Sequence, residues 1–365
     1  MKNSFGSSIT ITLFGESHGE YIGAVLDGLA PGIKIDDEYI KAKLALRRPS
    51  GNISTSRVEA DEYTIVSGAF NGYTTGTPLC ILIPNTNKKS ADYQKMHDIP
   101  RPSHADFSAE EKYHGFEDYR GGGHFSGRVT AALVAAGAIL GSALESKGIK
   151  IGSHITELHG AFDRPFEDYE SEIDLVNTKQ FPTLTDSAEE RMRKEIEKAA
   201  AKGDSVGGIL ESAIIGLPAG LGEPWFDSME SLLAHAIFSV PGVKGVEFGL
   251  GFAFADVYGS EGNDAFAIEN GRVVTETNNN GGINGGITNG MPVTFRTAIK
   301  PTPSIFIDQK SVSLSEMKEV SLKLEGRHDP AIIHRARAVV DAVAAIVVAD
   351  LLSARFGTDY LATKE

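Results

Sequence analysis

A chain of 365 residues with 41% hydrophobic content can bury a sizeable core, and its length alone would allow two domains or one large one. Its formal charge of −14 and pI near 5.2 oppose general attraction to nucleic acid or an anionic membrane, so an anionic ligand has to be met by local cations. The single cysteine, Cys80, excludes an intrachain disulfide and a multi-cysteine zinc site, and with no secretory apolar segment at the N-terminus it points to the cytoplasm.

The first predicted element is a strand over 9–14, followed by a polar turn and a second strand over 23–28. The turn carries Gly15-Glu16-Ser17-His18-Gly19, which fits the G-x-S-x-G spacing of a hydrolase nucleophile elbow. An elbow needs a helix after the serine, whereas the β-branched and glycine residues from Tyr21 read as a strand. Taken alone, the segment is a hairpin turn with a solvent-facing histidine. A helix over 37–46 follows and runs into Arg47-Arg48-Pro49, and strands are predicted over 63–67 and 79–83. Two arginine-bearing loops come next, Arg101-Pro102-Ser103-His104-Ala105-Asp106 and Tyr119-Arg120-Gly121-Gly122-Gly123-His124-Phe125-Ser126-Gly127-Arg128. The second leads into a helix over 128–145 whose uncharged run, 129–144, is shorter than a membrane span and reads as a buried helix. Phosphate at the start of that helix is physically reasonable, although neither a Walker sequence nor a dinucleotide G-x-G-x-x-G is present.

The most polar stretch, about 162–204, reads as a solvated surface insertion, with a helix over 188–201 capped by Ser187. Strands over 208–215, 245–248, 253–257 and 291–297 and a helix over 229–238 follow. Asn278-Asn279-Asn280-Gly281-Gly282-Ile283-Asn284-Gly285-Gly286-Ile287 suits left-handed turns, and Lys300-Pro301-Thr302-Pro303-Ser304 sets a cation beside hydroxyls. Gly326-Arg327-His328-Asp329-Pro330 precedes a last helix over 333–352, which Asp329 is equally placed to cap. This helix and the one over 128–145 are apolar around most of their circumference, so each needs cover on several sides, as between two sheets.

Guanidinium groups grip carboxylate or phosphate in a bidentate fork, and glycine lets backbone N–H groups approach an oxyanion. One arginine beside glycine is most simply a salt-bridging residue; four such clusters in an acidic chain point to a small polyanionic ligand. The ten histidines show no H-x-x-x-H or H-E-x-x-H spacing, so no metal site is expected. His18, His104 and His328 lie beside these loops, where a near-neutral group can pass a proton.

The segments GESHGEYIGAVLDGLAPG, RPSHAD, YRGGGHFSGRVTAALVAAGAIL, PAGLGEPWFD, GVKGVEFG, NNNGGINGGI, KPTPS and GRHDPAIIHRA resemble, in order, the motif set of the chorismate synthases, from residue 15 to about 345. The resemblance implies a lyase that converts 5-enolpyruvylshikimate 3-phosphate to chorismate and phosphate by anti-1,4-elimination, in the shikimate pathway to aromatic amino acids. It implies reduced FMN as cofactor, supplied by a separate flavin reductase, and a homotetramer. The implied fold is α+β: a single domain over 1–365, layered, with long central helices between antiparallel sheets. The substrate's phosphate and two carboxylates match the arginine inventory.

Carried onto matching positions, the resemblance implies that His18 protonates reduced flavin, that His104 protonates the departing phosphate and that Asp329 assists proton movement at flavin N5. Ser17, Arg47, Arg101, Ser126, Arg128 and Arg327 would hold the substrate. His124, Phe125, Ser126, Pro241, Gly242, Gly285, Lys300, Pro301, Thr302, Pro303, Ser304 and Arg327 would contact the flavin. Three departures stand out. His124-Phe125-Ser126 replaces an arginine-serine-serine common in the family, the loop after Arg48-Pro49 is short with Arg57 the nearest counterpart of a family arginine, and Asp341 replaces a glutamate. Two rival classes, a serine hydrolase built on Ser17 and a nucleic-acid or anion-binding protein using Arg120–Gly123, are opposed by the predicted strand and by the net charge.

Overall fold

The computed structural model describes residues 2–49, 53–54, 60–86, 97–324 and 329–363. Two five-stranded antiparallel sheets enclose a layer of helices. The first sheet runs, in spatial order, Ser4–Phe5, Thr10–Gly15, Tyr21–Asp27, Leu79–Pro84 and Thr64–Ser67. Its two central strands pair Ile22 with Ile83, Ala24 with Ile81 and Leu26 with Leu79, and all six side chains are buried on one face. That period-two alternation sets the register, because a slip of one residue would turn the whole set to the other face.

The second sheet is ordered Val243–Phe248, Val293–Ile299, Gly208–Ile215, Lys150–Leu158 and Ala161–Phe162. Between the sheets lie Thr130–Glu145, against the first, and Ile333–Phe356, against the second. Both are buried on nearly every side, as their composition requires. They cross at Gly137, where a Cβ would stand 2.5 Å from Ala342 Cβ and 2.6 Å from its carbonyl oxygen, so glycine is what permits the contact. The stretch Gly127–Glu145 is long and apolar enough to cross a membrane, and 83% of its apolar window is buried inside the fold.

The polar segment 162–204 contains two helices, Tyr169–Thr178 and Asp186–Ala201. Ile173 and Val176 of the first join Phe166, Leu184 and Ala213 in a small cluster on the outer face of the second sheet, while Met192 and Ile196 of the second join the main core. The cap of the second is Thr185, whose hydroxyl accepts from Ala188 N at 3.3 Å, rather than the expected Ser187. The expected strand over 253–257 is also absent: Gly251–Asp256 forms a 3-10 turn with Phe252 and Phe254 exposed. Gly249 and Gly251 turn the chain at φ +55° and +56°, which ends the preceding strand before the apolar alternation can pair.

Helix ends place the cations. Asp36 caps Asp37–Arg47 by accepting from Tyr39 N at 3.0 Å, and that helix packs on both inner helices, delivering Arg47 at its last turn. Ser126 caps the 3-10 turn Gly127–Val129 through Arg128 N at 3.3 Å, which sets Arg128 at the entry of Thr130–Glu145.

Candidate active site

The strand Thr10–Gly15 ends in a tight turn that buries Ser17 and His18, so the histidine does not face solvent as a simple hairpin would have it. Ser17 N donates to Gly123 O at 3.1 Å. Ser17 Oγ lies 3.0 Å from Arg120 O, 3.2 Å from Gly121 O and 3.0 Å from His18 Nδ1. The hydroxyl has one hydrogen; given to a carbonyl, it leaves Oγ to accept from His18 Nδ1–H, and Nε2 becomes the nitrogen that exchanges protons. A buried serine engaged in this way, followed by the strand Tyr21–Asp27 instead of a helix, is not a nucleophile elbow.

Gly121, Gly122 and Gly123 all have positive φ, +62°, +84° and +53°, and form an arch between two histidines. A Cβ on Gly121 would stand 2.3 Å from His18 Cε1, and one on Gly122 would stand 3.2 Å from His104 Cε1 and 3.4 Å from its Nε2. At Gly121 and Gly123, whose Cβ would stand 1.9 Å from Asp118 O, the space excludes any side chain; at Gly122 the left-handed backbone is what favours glycine. His104 Nδ1 is 2.5 Å from Asp106 Oδ1, and Arg101 grips the same carboxylate, Nη2 to Oδ1 at 2.8 Å and Nε to Oδ2 at 2.8 Å. Burial works against the charge on Asp106, but the hydrogen bonds from Arg101 and His104 outweigh it and hold the carboxyl well below the usual range.

Arg47 and Arg128 share a buried acid. Arg47 Nη1 donates to Asp61 Oδ2 at 3.0 Å and Arg128 Nη1 donates to Asp61 Oδ1. Arg47 also binds Thr130 Oγ1 at 2.9 Å and Gly127 O at 2.8 Å, and Arg128 binds Asn85 Oδ1 at 3.0 Å and Pro84 O at 3.1 Å. Asp329 accepts from Arg335 Nη1 at 2.5 Å, and Arg335 Nε donates to Arg47 O at 2.9 Å. Asp329 is thus paired with Arg335 and is not the cap of Ile333–Phe356, whose N-cap is Ile332.

These groups border a cavity of about 1000 Å³, roughly the upper end of small-molecule sites. Among the expected site residues, Arg47, His104, His124, Phe125, Ser126, Arg128, Pro241, Gly242, Lys300 to Ser304 and Asp329 line it. An adjoining cavity of about 330 Å³ shares His104, His124 and Phe125 and adds Arg101 and Asp106. His124 Nδ1 donates to Gly15 O at 2.8 Å. Lys300 donates to Ser103 O at 2.6 Å, and burial, then Lys244, holds its ammonium below the usual lysine value. Thr302 Oγ1 is buried in the wall with no hydrogen-bond partner among the described residues.

Three expected residues are not in either wall. Ser17 and His18 sit behind Gly121. Gly285 lies in the tight turn between Ile283–Asn284 and Ile287–Thr288, at φ +62°. Arg57, Arg327 and His328 fall outside the described residues. Asp341 is in the interior, accepting from Ser153 Oγ at 2.5 Å and Arg337 Nη1 at 3.2 Å, so its replacement of a glutamate bears on packing between helix and sheet. The residues that sequence reasoning passed over are Asp61, Asn85, Asp106, Lys244 and Arg335. No group of metal-ligating side chains occurs among the described residues.

Comparison with known proteins gives one answer. Residues 9–353 match the family model described as chorismate synthase. A protein named chorismate synthase from Thermococcus gammatolerans is 49% identical over 351 residues, 96% of this chain and 97% of its own. One from Pyrococcus abyssi is 48% identical over 348 residues, 95% and 96% of the two chains. A solved structure titled as a crystal structure of chorismate synthase matches with a TM-score of 0.76 at 28% identity, covering 98% of this chain and 95% of that one.

Proposed function

The chain belongs to the chorismate synthase family, lyases of aromatic amino acid biosynthesis that turn 5-enolpyruvylshikimate 3-phosphate into chorismate and phosphate, and we propose that its large cavity is where that elimination takes place. The observation that carries the assignment is the glycine arch, which brings His18 and His104 against consecutive residues of one backbone segment beside a cavity walled by cations. The substrate bears a phosphate and two carboxylates, and Arg47, Arg128, Arg335, Lys244 and Lys300 surround the same space. A substrate anion that engages Arg47 and Arg128 competes with Asp61 for them.

The walls also fit FMN. The volume exceeds what the substrate alone needs, and the unpartnered Thr302 hydroxyl and the Lys300 ammonium are the donors a flavin phosphate or ring carbonyl takes. Pro241, Gly242, His124, Phe125 and the segment 300–304 would hold it. The chemistry that reduced FMN would supply there is a transient loan of electron density to the substrate, returned with the C6 hydrogen, so that the reaction would have no net redox change. On the protein's side, His104 Nε2 delivers a proton to the departing phosphate. His18 keeps Nδ1 on Ser17, so a proton it passes to the flavin moves through Nε2. Asp329, fixed by Arg335, takes part in proton movement on the flavin side.

In this reading a separate reductase supplies reduced FMN in the cytoplasm, and nucleic acid and membrane have no part, in keeping with the charge of −14. A homotetramer is supported by large apolar side chains left in solvent, Trp225 at 84%, Phe226 at 89%, Phe252 at 85% and Tyr258 at 80% exposure.

The flavin assignment is tested at Thr302. Thr302→Val removes a hydroxyl that has no partner in the protein among the described residues, so the flavin-free protein should melt no lower than wild type. FMN binding, followed by flavin fluorescence, should weaken roughly two- to tenfold, the loss of one neutral hydrogen bond. Unchanged FMN affinity would take the flavin away from this wall.

A further inference from the structure

We propose that Asp106 is a positioning residue for the phosphate-protonating acid: with Arg101 holding it, its carboxylate fixes the hydrogen of His104 on Nδ1 and reserves Nε2 for the cavity. The inference rests on the reading of His104 as that acid and deepens it. It also gives Arg101 a first duty other than gripping substrate.

His104 Nδ1 has two neighbours, Asp106 Oδ1 at 2.5 Å and Arg101 Nη2 at 3.0 Å. A guanidinium only donates and a carboxylate only accepts. If Nδ1 were bare and accepted from Arg101, its lone pair would point at a carboxylate oxygen 2.5 Å away. With a hydrogen on Nδ1 the bond to Asp106 forms, and Arg101 Nη2 turns its own hydrogen to the same carboxylate at 2.8 Å. Only the second arrangement leaves no repulsion. Nδ1 therefore carries hydrogen whether the ring is neutral or charged, and Nε2 is the atom that gains or loses the proton. The Cε1–Nε2 edge of the ring lies beside Gly122, where a Cβ would stand 3.2 and 3.4 Å from these two atoms and glycine leaves that space open.

The support for Asp106 is unusually complete. Arg101 supplies Nε, Nη2 and its own backbone N–H, the last at 2.9 Å to Oδ2. Asp106 also opens the helix Asp106–Tyr113, whose N-terminal N–H groups favour a negative charge. The carboxyl is held low against the opposing effect of burial, so it stays ionised at neutral pH. Other charged or titratable groups stand near: Lys300 on Ser103 O, His97, Glu110, Glu117, Asp118 and His124 around the smaller cavity, and Arg47, Asp61, Arg128, Lys244, Asp329 and Arg335 around the larger. His18 lies beyond Gly121. Among the described residues, only Arg101 and Asp106 side chains hydrogen-bond the His104 ring.

Asp106→Asn gives a definite outcome from the same donors. Each carboxylate oxygen faces two donors, Arg101 Nε and the Arg101 backbone N–H at Oδ2, and Arg101 Nη2 and His104 Nδ1 at Oδ1; only the imidazole can turn into an acceptor, so the amide oxygen settles at the Oδ2 position and the amide NH₂ takes the Oδ1 position facing His104. An NH₂ donates, so the ring must accept at Nδ1 and move its hydrogen to Nε2. The test is ¹⁵N NMR of histidine-labelled, substrate-free protein together with steady-state kinetics at saturating reduced FMN. We expect the His104 signals to change from the Nδ1–H to the Nε2–H tautomer, kcat to fall about 10²-fold or more, and KM to change less than about threefold. Asp106→Glu, which keeps the acceptor, should restore part of kcat and the Nδ1–H tautomer. An Asn variant that keeps Nδ1–H, or that switches tautomer and keeps wild-type kcat, overturns the proposal. Because the tautomer is read without substrate, it is independent of whether His104 is the acid: a tautomer switch alongside an inert His104→Ala would fault the acid assignment, and with it Asp106's catalytic role, while leaving the hydrogen-bond geometry standing.

Discussion

His104→Ala is expected to lower kcat for phosphate release by about 10²–10⁴-fold, the range that a positioned general acid contributes, with little change in stability. The size follows from the leaving group, since phosphate departs more readily when a proton reaches its bridging oxygen, and Nε2 is the one ring nitrogen not committed to Asp106. The modest cost in stability follows from the partners left behind. Arg101 and Asp106 keep each other through Nε, Nη2 and the backbone N–H, so removing the imidazole strands no buried charge. The ring is also only partly enclosed, with 18% of its side-chain surface exposed. The measurements are single-turnover phosphate release and a urea unfolding curve. A variant that unfolds early would point to a structural role for His104, and one that turns over at the wild-type rate would remove it from the chemistry.

Arg128→Met should have the opposite profile, a large loss of stability alongside loss of substrate binding. Arg128 and Arg47 divide one buried carboxylate between them, and Arg128 also serves Asn85 Oδ1 and Pro84 O. Methionine fills much of the volume but donates to none of these acceptors. Taking one partner from a buried, hydrogen-bonded ion pair costs about 3–5 kcal/mol, a large share of the roughly 5–15 kcal/mol that holds a typical domain together. Thermal or urea denaturation of the flavin-free protein reads this directly. Arg47 still holds Asp61 in this variant, so Asp61→Asn added to Arg128→Met should cost less than it does in the wild type, because the Arg128 bond is already gone; strict additivity of the two substitutions would show that the pair is not coupled.

Much of the architecture is readable from pattern. The strand Gly208–Ile215 and the starts of Asp37–Arg47, Met229–Ile237 and Ile333–Phe356 fall where the residue pattern puts them. The neighbour of Gly208–Ile215 in the sheet, Lys150–Leu158, does not. Its sequence, KIGSHITEL, breaks apolar alternation with Ser153 and His154, both fully buried. They are tolerated because partners distant in the chain reach them: Ser212 Oγ at 2.7 Å and Asp341 Oδ1 at 2.5 Å for Ser153, and Glu211 Oε2 at 2.7 Å for His154 Nε2, with Asp163 3.8 Å from His154 Nδ1. No local rule foresees such pairing.

The active-site reading divides in the same way. Residues in ordered motifs, such as His104 and Lys300, are legible because the motif marks them, and the cavity gathers them from loops nearly 200 positions apart in the chain. Asp106 stood inside a quoted motif and needed only its distance to His104 to acquire a role. Asp61 had no signal at all: it is one acid in the run Val58-Glu59-Ala60-Asp61-Glu62, and only the folded chain brings it between two arginines. The burial of His18 behind Gly121 was equally hidden, since it depends on the left-handed backbone of a glycine about 100 residues away.

The central claim is that this cavity carries out a reduced-flavin-dependent elimination, and anaerobic phosphate release from 5-enolpyruvylshikimate 3-phosphate tests it most directly. The protein would be supplied in parallel with chemically reduced FMN, oxidised FMN and no flavin, with no nicotinamide present. Stoichiometric phosphate and chorismate with reduced FMN alone is the predicted result. Phosphate release that is equal in all three, or absent with reduced FMN from a folded protein that binds it, would contradict the claim.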